Sequence, residues 1–282
     1  MRWPPMRGAA AASAVGEVTA FWSRIVVAVA GLPLVLYLVW LGGWWLFALV
    51  AVAATVALHE LFWIARPLRP LVLAGYTGAL LALLGAWLGG ATWMAAGFLT
   101  TFLLAFVLKG ISQTRQSITV AVGATVLGAG WVGLGLSHVV LLRAIAPADD
   151  GRLAVFTVLL AVFASDTIAY FTGLLVGRHR MAPTISPGKT WEGLIAGTAI
   201  AILVPFFAFY NSDFLDIWRS LVIGTVIAVA APLGDLFESA IKRDLQVKDT
   251  GRLLAGHGGV LDRIDSLLFA AVAAYYTILA LA

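Results

Sequence analysis

The sequence predicts an all-α integral membrane protein with about nine transmembrane helices and a polar cavity near the cytoplasmic side. Hydrophobic residues make up 62% of the 282 residues and charged residues only 11%, whereas a soluble globular domain is roughly 45–50% apolar and about 25% charged. A helix needs roughly 20 residues to cross a bilayer, so about nine spans leave no room for a large soluble domain. No cysteine is present, which excludes disulfides, thiolate metal sites and cysteine nucleophiles.

The individual helices follow from apolar runs that are bounded by charged residues, glycine or proline. Two connections are only a glycine pair, Gly42-Gly43 and Gly89-Gly90, as expected for tight helical hairpins. The first run is too long for the core of a signal peptide, which favours an uncleaved first span. We expect an N-terminal cytoplasmic segment, 1–20, and one polytopic transmembrane domain, 21–282. The predicted spans are roughly 24–41, 44–65, 71–88, 91–108, 117–141, 153–177, 191–210, 219–240 and 264–282.

The distribution of Lys and Arg predicts the orientation in the membrane. With nine spans, 15 of the 18 basic residues fall on the side of the N-terminus, and only Arg143, Arg152 and Arg219 fall on the other. By the positive-inside rule the N-terminus is cytoplasmic and the C-terminus lies outside. We therefore expect a multi-pass protein of the cell's inner (plasma) membrane.

Charged residues are concentrated in one segment near the C-terminus. The 31 residues from Asp235 to Asp265 contain six of the chain's 14 acidic residues. Asp235, Glu238 and Lys242 share one helix face, and Asp262 and Asp265 share another. Two helix ends that present carboxylates to one cavity suit Mg²⁺, which takes one or two carboxylates plus water and phosphate oxygens. The alternative is a salt-bridged loop with snorkelling side chains, but charges beside a span mark a functional site by default.

The same segment carries groups that suit phosphates. Gly256, Gly258 and Gly259 flank His257, and glycines let backbone amides approach a phosphate closely. His257 itself is as consistent with a loop hydrogen bond as with an acid–base group. Acids for a metal together with cations and bare amides for phosphates indicate phosphoryl or nucleotidyl transfer. The cations are Lys242, Arg243, Lys248 and Arg263.

A second polar cluster begins at Asp166, about midway along the sixth predicted span, and continues to the start of the seventh. Asp166 either joins the metal and nucleotide site or neutralises a nearby base. Ser186 and Thr190 are candidate caps for the seventh helix, and a helix N-terminus is also an anion site. Lys189 lies between them and would complete that site.

His59 and Glu60 lie near the inner end of the second predicted span. They either contact a lipid headgroup or form a structural pair with Arg66. The structural interpretation is favoured.

The motifs of the C-terminal half resemble the signature of the phosphatidate cytidylyltransferase family, also called CDP-diacylglycerol synthases. Their length and fixed spacing make the resemblance specific, and the upstream stretches Ser165 to Tyr170 and Ser186 to Gly193 also resemble the family. The first four or five spans match only in hydrophobic character. The matching residues are Ser239, Lys242, Arg243, Lys248, Asp249, Gly251, Leu254, His257, Gly258, Gly259, Asp262, Arg263, Ile264 and Asp265.

The resemblance implies a reaction of CTP with phosphatidate that gives CDP-diacylglycerol and pyrophosphate for phospholipid biosynthesis. It also implies Mg²⁺ held by Asp235 and Asp262, a second, monovalent cation such as K⁺, and a homodimer in membrane lipid, with no nucleic-acid partner. The expected catalytic residues are Asp235, Asp262, Lys242, Arg243, Lys248 and Asp265. The expected residues for CTP or the lipid phosphate are Ser186, Lys189, Thr190, His257, Gly258, Gly259, Arg263, Asp249 and Asp166.

Two other classes of function remain open at this point. A secondary transporter would also carry intramembrane acids such as Asp166 and Asp235, although no inverted repeat is visible. A related membrane enzyme would move a cytidylyl group to an isoprenoid-ether lipid, or would use CTP as a lipid kinase.

Overall fold

The computed structural model describes residues 31–112, 117–251 and 258–281. In these ranges the chain is mostly helical, and seven of the eight α-helices, α2 to α8, are long and apolar enough to cross a membrane. The chain is therefore a multi-pass membrane protein. The helices are α1 (Leu32–Leu41), α2 (Gly43–Ile64), α3 (Val72–Ile111), α4 (Ile118–Arg143), α5 (Ala148–Val176), α6 (Trp191–Phe209), α7 (Ile217–Asp244) and α8 (Leu261–Leu281). A 3₁₀ turn, Arg66–Leu68, follows α2, and α4 passes through a π-helical stretch at Ala129–Leu134.

Helix α3 explains part of the difference between nine predicted spans and seven helices. Its 40 residues reverse direction at Gly89-Gly90, where Gly90 has a φ of 70° that favours glycine. The two arms pack antiparallel, because Gly97 lies against the backbone of Leu81 and Gly78 lies against Thr101. The arms coincide with the predicted spans 71–88 and 91–108, so the glycine-pair hairpin is confirmed. The first predicted span appears only as α1; its remainder and the segment 1–20 lie outside the described residues, and the count of nine stays a prediction.

The all-α prediction is wrong at one place between α5 and α6. Strands β1 (Arg180–Ala182) and β2 (Ser186–Thr190) form an antiparallel ribbon in which Arg180 pairs with Thr190 and Ala182 with Ser186. The segment lies outside the apolar runs, and Pro187 cannot donate to a helical hydrogen bond. Pairing the two strands satisfies the backbone groups there instead.

Helices α5 to α8 pack together and bring the polar residues of the C-terminal half to one end of the bundle. Glycines allow the close approach: a Cβ at Gly193 would lie 2.5 Å from the carbonyl oxygen of Ala169 on α5. A Cβ at Gly234 on α7 would likewise lie 2.5 Å from the carbonyl oxygen of Asp265 on α8. Backbone contact between α7 and α8 therefore places the residue after Gly234, Asp235, beside the acidic first turns of α8.

Candidate active site

Polar residues from four elements meet near the N-terminal ends of α6 and α8. Helix α5 contributes Asp166, β2 contributes Lys189, α7 contributes Asp235, Glu238 and Lys242, and α8 contributes Asp262 and Asp265. We call these seven residues the charged cluster. The structure thus brings together residues that the sequence places up to a hundred positions apart.

Lys242 joins α7 to α8 within the cluster. Its Nζ atom lies 2.8 Å from Oε2 of Glu238, one turn earlier on α7, and 2.8 Å from Oδ1 of Asp262 on α8. The side chains are 14%, 2% and 10% exposed for Lys242, Glu238 and Asp262 respectively. A buried ammonium is therefore shared by two buried carboxylates, and the predicted common face of Glu238 and Lys242 is present.

Asp262 is also held by backbone amides. Its Oδ2 atom accepts hydrogen bonds from the amides of Gly259, at 2.8 Å, and Thr250, at 3.2 Å. A Cβ at Gly258, whose φ is 82°, would lie 2.8 Å from the same oxygen. These glycines therefore permit the loop to close on a protein carboxylate. Their predicted role in binding a substrate phosphate stays a prediction, and His257 lies outside the described residues.

Lys189 reaches the cluster from the ribbon. Its Nζ atom lies 2.6 Å from Oδ2 of Asp235, and the two side chains are 22% and 33% exposed. The ribbon is tied to α7 a second time, because Nε of Arg243 donates to the carbonyl oxygen of Ile185 at 3.1 Å. The Lys189–Asp235 pair is thus the more open part of the cluster, and the Lys242 bridge is the more enclosed part.

Asp166 and Asp265 are the remaining two members of the cluster. Asp166 interacts electrostatically with Asp235 and Lys189, so it lies beside both an acid and a base of the cluster. Asp265 is buried and interacts with Asp235, Asp166 and Glu238. The cluster thus contains five carboxyl groups and two ammonium groups.

The chemistry of the donor set fits a hard divalent cation. Across the described ranges no three His, Asp or Glu side chains form a ready-made ligand group for a metal. Mg²⁺ does not need one, because it usually takes one or two carboxylates and fills its remaining positions with water and substrate phosphate oxygens. The donors that the cluster offers are carboxylate oxygens, which are ligands that such an ion takes.

Several predicted residues occupy other places. Thr190 caps α6, because its hydroxyl accepts from the amide of Gly193 at 3.2 Å, whereas Ser186 belongs to the ribbon. Arg243 is exposed and binds the ribbon with one of its nitrogens. The remaining predicted residues, Lys248, Asp249 and Arg263, are exposed around the loop that joins α7 to α8.

Glu60 on α2 makes contacts that the sequence did not indicate. It is buried, and its two oxygens accept from the amides of Val260 and Leu261 at the start of α8. Arg66, its expected partner, instead stacks on Trp63 with 4.8 Å between the guanidinium carbon and the ring centroid. The predicted pair with Arg66 is therefore wrong, and Glu60 instead binds the N-terminus of a helix.

Comparison with known proteins places the chain in a family. Residues 22–281 match the model of the cytidylyltransferase family. A protein of Mycobacterium bovis named phosphatidate cytidylyltransferase is 36% identical over 267 residues, which cover 87% of this chain and 83% of that protein. A Staphylococcus haemolyticus protein of the same name is 32% identical over 254 residues, covering 87% of this chain and 94% of that protein. The chain belongs to the phosphatidate cytidylyltransferase family, as the C-terminal motifs predict.

Proposed function

We propose that this chain transfers the cytidylyl group of CTP to phosphatidate, giving CDP-diacylglycerol and pyrophosphate for phospholipid biosynthesis. The observation that carries the proposal is the charged cluster of Asp235, Lys242, Asp262 and their neighbours at the ends of membrane-spanning helices. The family and the names of the relatives support it.

The reaction is an exchange of one phosphoanhydride bond for another. An oxygen of the lipid phosphate forms a bond to the α-phosphorus of CTP, and the bond from that phosphorus to the bridging oxygen of the β-phosphate breaks. The electron pair leaves with pyrophosphate. A phosphate monoester loses its second proton with a pKa of about 6, so the nucleophile is largely ionised at neutral pH and needs no strong general base.

The enzyme must therefore bring two anions together and stabilise charge on the leaving pyrophosphate. Asp235 and Asp262 would hold Mg²⁺, with Asp265 and Asp249 orienting metal-bound water or the cationic side chains. When bound, Mg²⁺ would supply a positive charge to the phosphate oxygens. A second, monovalent cation and a homodimer remain predictions from the family resemblance.

The two lysines of the cluster take different roles in this proposal. An ammonium group has three donors; Lys242 uses two of them on Glu238 and Asp262, whereas Lys189 uses one on Asp235. Lys189 is also the more exposed of the two. Lys189 is therefore proposed to bind the triphosphate of CTP, and Lys242 to hold α7 and α8 in register. Arg243, Lys248 and Arg263 would screen the phosphates from the surrounding loop.

The location of the cluster suits one substrate that is dissolved in water and one that lies in the membrane. Lys189 lies two residues before α6, and Asp265 lies in the first turns of α8, so the cluster is near the membrane surface. The positive-inside rule favours the cytoplasmic surface, where CTP is available. The acyl chains of phosphatidate would enter laterally from the inner leaflet, and a polar cavity that opens to lipid is part of the proposal.

The test is an assay with purified protein in mixed micelles of detergent and phosphatidate. Lipid-dependent release of pyrophosphate from CTP is expected, with a lipid product whose mass equals that of CDP-diacylglycerol. A chelator should stop the reaction and added Mg²⁺ should restore it. Release of pyrophosphate that does not depend on phosphatidate, or a product of another mass, would contradict the proposed acceptor.

A further inference from the structure

Glu60 is an acidic side chain that the proposed chemistry does not use, and it is only 5% exposed. Its Oε1 atom accepts from the amide of Val260 at 3.0 Å, and its Oε2 atom accepts from the amide of Leu261 at 2.9 Å. The first amides of a helix have no partner within the helix, and the helix dipole favours an anion at this end. Glu60 therefore belongs to α2 but completes the start of α8, 200 residues later in the chain.

Two glycines show how closely Glu60 is packed against the described backbone on either side of residues 252–257. A Cβ at Gly251 would lie 2.5 Å from Oε1 of Glu60, and a Cβ at Gly259 would lie 2.5 Å from Oε2. These glycines stand on either side of residues 252–257. The backbone thus passes Glu60 once as it leaves α7 and again as it enters α8.

The same backbone holds Asp262. The amides that donate to Asp262 belong to Thr250 and Gly259, and each is the sequence neighbour of a residue that contacts Glu60, namely Gly251 and Val260. A displacement of the backbone at Glu60 therefore moves the amides that orient the Asp262 carboxylate.

We infer that Glu60 is a positioning residue that sets the orientation of Asp262 in the charged cluster. The inference rests on the proposed function, in which Asp262 acts at the reacting phosphates. Glu60 acts through the loop backbone rather than on the substrate, because its side chain is buried and both of its oxygens face the amides of Val260 and Leu261. It links the N-terminal half of the chain to the site.

The variant Glu60→Gln tests the inference with nearly the same side-chain volume. A glutamine has one acceptor oxygen and a donor NH₂ group, so one of the two amides faces a donor. Loss of a residue that orients a catalytic ligand typically costs about 10–100-fold in activity. We expect kcat per folded molecule to fall by about that factor, with the KM for phosphatidate unchanged. Glu60→Asp keeps both acceptor oxygens and should recover part of kcat.

Control variants separate positioning from stability. Leu58→Ala removes a fully buried side chain two residues away on α2, so it should lower the melting temperature while the folded protein keeps its kcat. Gly251→Ala would place a Cβ 2.5 Å from Oε1 of Glu60. The carboxylate would have to move, so this variant should also lower kcat. If Glu60→Gln does not fold, Glu60→Asp carries the same test.

The possible outcomes are distinguishable. Wild-type kcat in folded Glu60→Gln, or an equal loss of kcat in Leu58→Ala, would overturn the inference. A loss of kcat in Glu60→Gln and Gly251→Ala, with partial recovery in Glu60→Asp, would support it. Wild-type protein that makes no CDP-diacylglycerol in the same assay would instead contradict the proposed function, so the two failures are distinguishable.

Discussion

Replacing Lys242 with methionine keeps the length of the side chain but removes the ammonium group between Glu238 and Asp262. All three side chains are largely buried, and both ion pairs measure 2.8 Å. Removing one partner of a buried pair typically costs about 3–5 kcal/mol, because the remaining charge is left uncompensated. Two carboxylates lose their partner here, so we expect the free energy of unfolding to fall by about that amount.

Thermal unfolding in detergent micelles measures the effect. The expected fall in melting temperature is on the order of 10 °C. Lys189→Met is the matched control, because its more exposed pair should contribute only about 0–1 kcal/mol. The double variant Lys242→Met with Glu238→Gln should regain part of the loss, since it removes one of the facing charges. An unchanged melting temperature in Lys242→Met would refute the role of Lys242 as a buried bridge.

The remaining predictions concern the reaction itself. Asp235→Asn and Asp262→Asn should each abolish transfer while the protein still inserts into membranes, because each removes a carboxylate proposed to hold Mg²⁺; full activity in either variant would remove that assignment. Lys189→Ala should raise the apparent KM for CTP about 10–100-fold, the range expected for a lost hydrogen bond to a charged group, with little change in melting temperature. Steady-state kinetics over a range of CTP concentrations measures this effect, and an unchanged KM for CTP would count against the role of Lys189.

Hydropathy predicted most of the membrane helices, and the concentration of charged residues indicated the segments that meet in the charged cluster. Apolar runs indicate spans because lipid cannot satisfy polar backbone groups outside a helix or closed barrel. The hairpin at Gly89-Gly90 could be predicted because a glycine pair separates two apolar runs. Gly90 has a positive φ, a conformation that favours glycine. Helical periodicity placed Glu238 and Lys242 on one face, and the structure joins them.

The remaining features depend on contacts that periodicity does not contain. The role of Glu60 could not be predicted, because its partners are backbone amides, which every sequence carries, at a distance of 200 residues. The choice of Asp235 as the partner of Lys189 depends on how the ribbon folds over α7. The ribbon itself is a short polar segment whose two strands are too brief to show an alternating pattern.

If the charged cluster transfers a cytidylyl group, the α- and γ-phosphates of CTP must have different fates, which isotopic labels can follow. Purified protein is given phosphatidate and CTP labelled either at the α-phosphate or at the γ-phosphate. Cytidylyl transfer predicts that the α label enters the lipid and the γ label leaves as pyrophosphate, and that Asp262→Asn abolishes both. A γ label in the lipid would show a CTP-dependent lipid kinase and would exclude cytidylyl transfer.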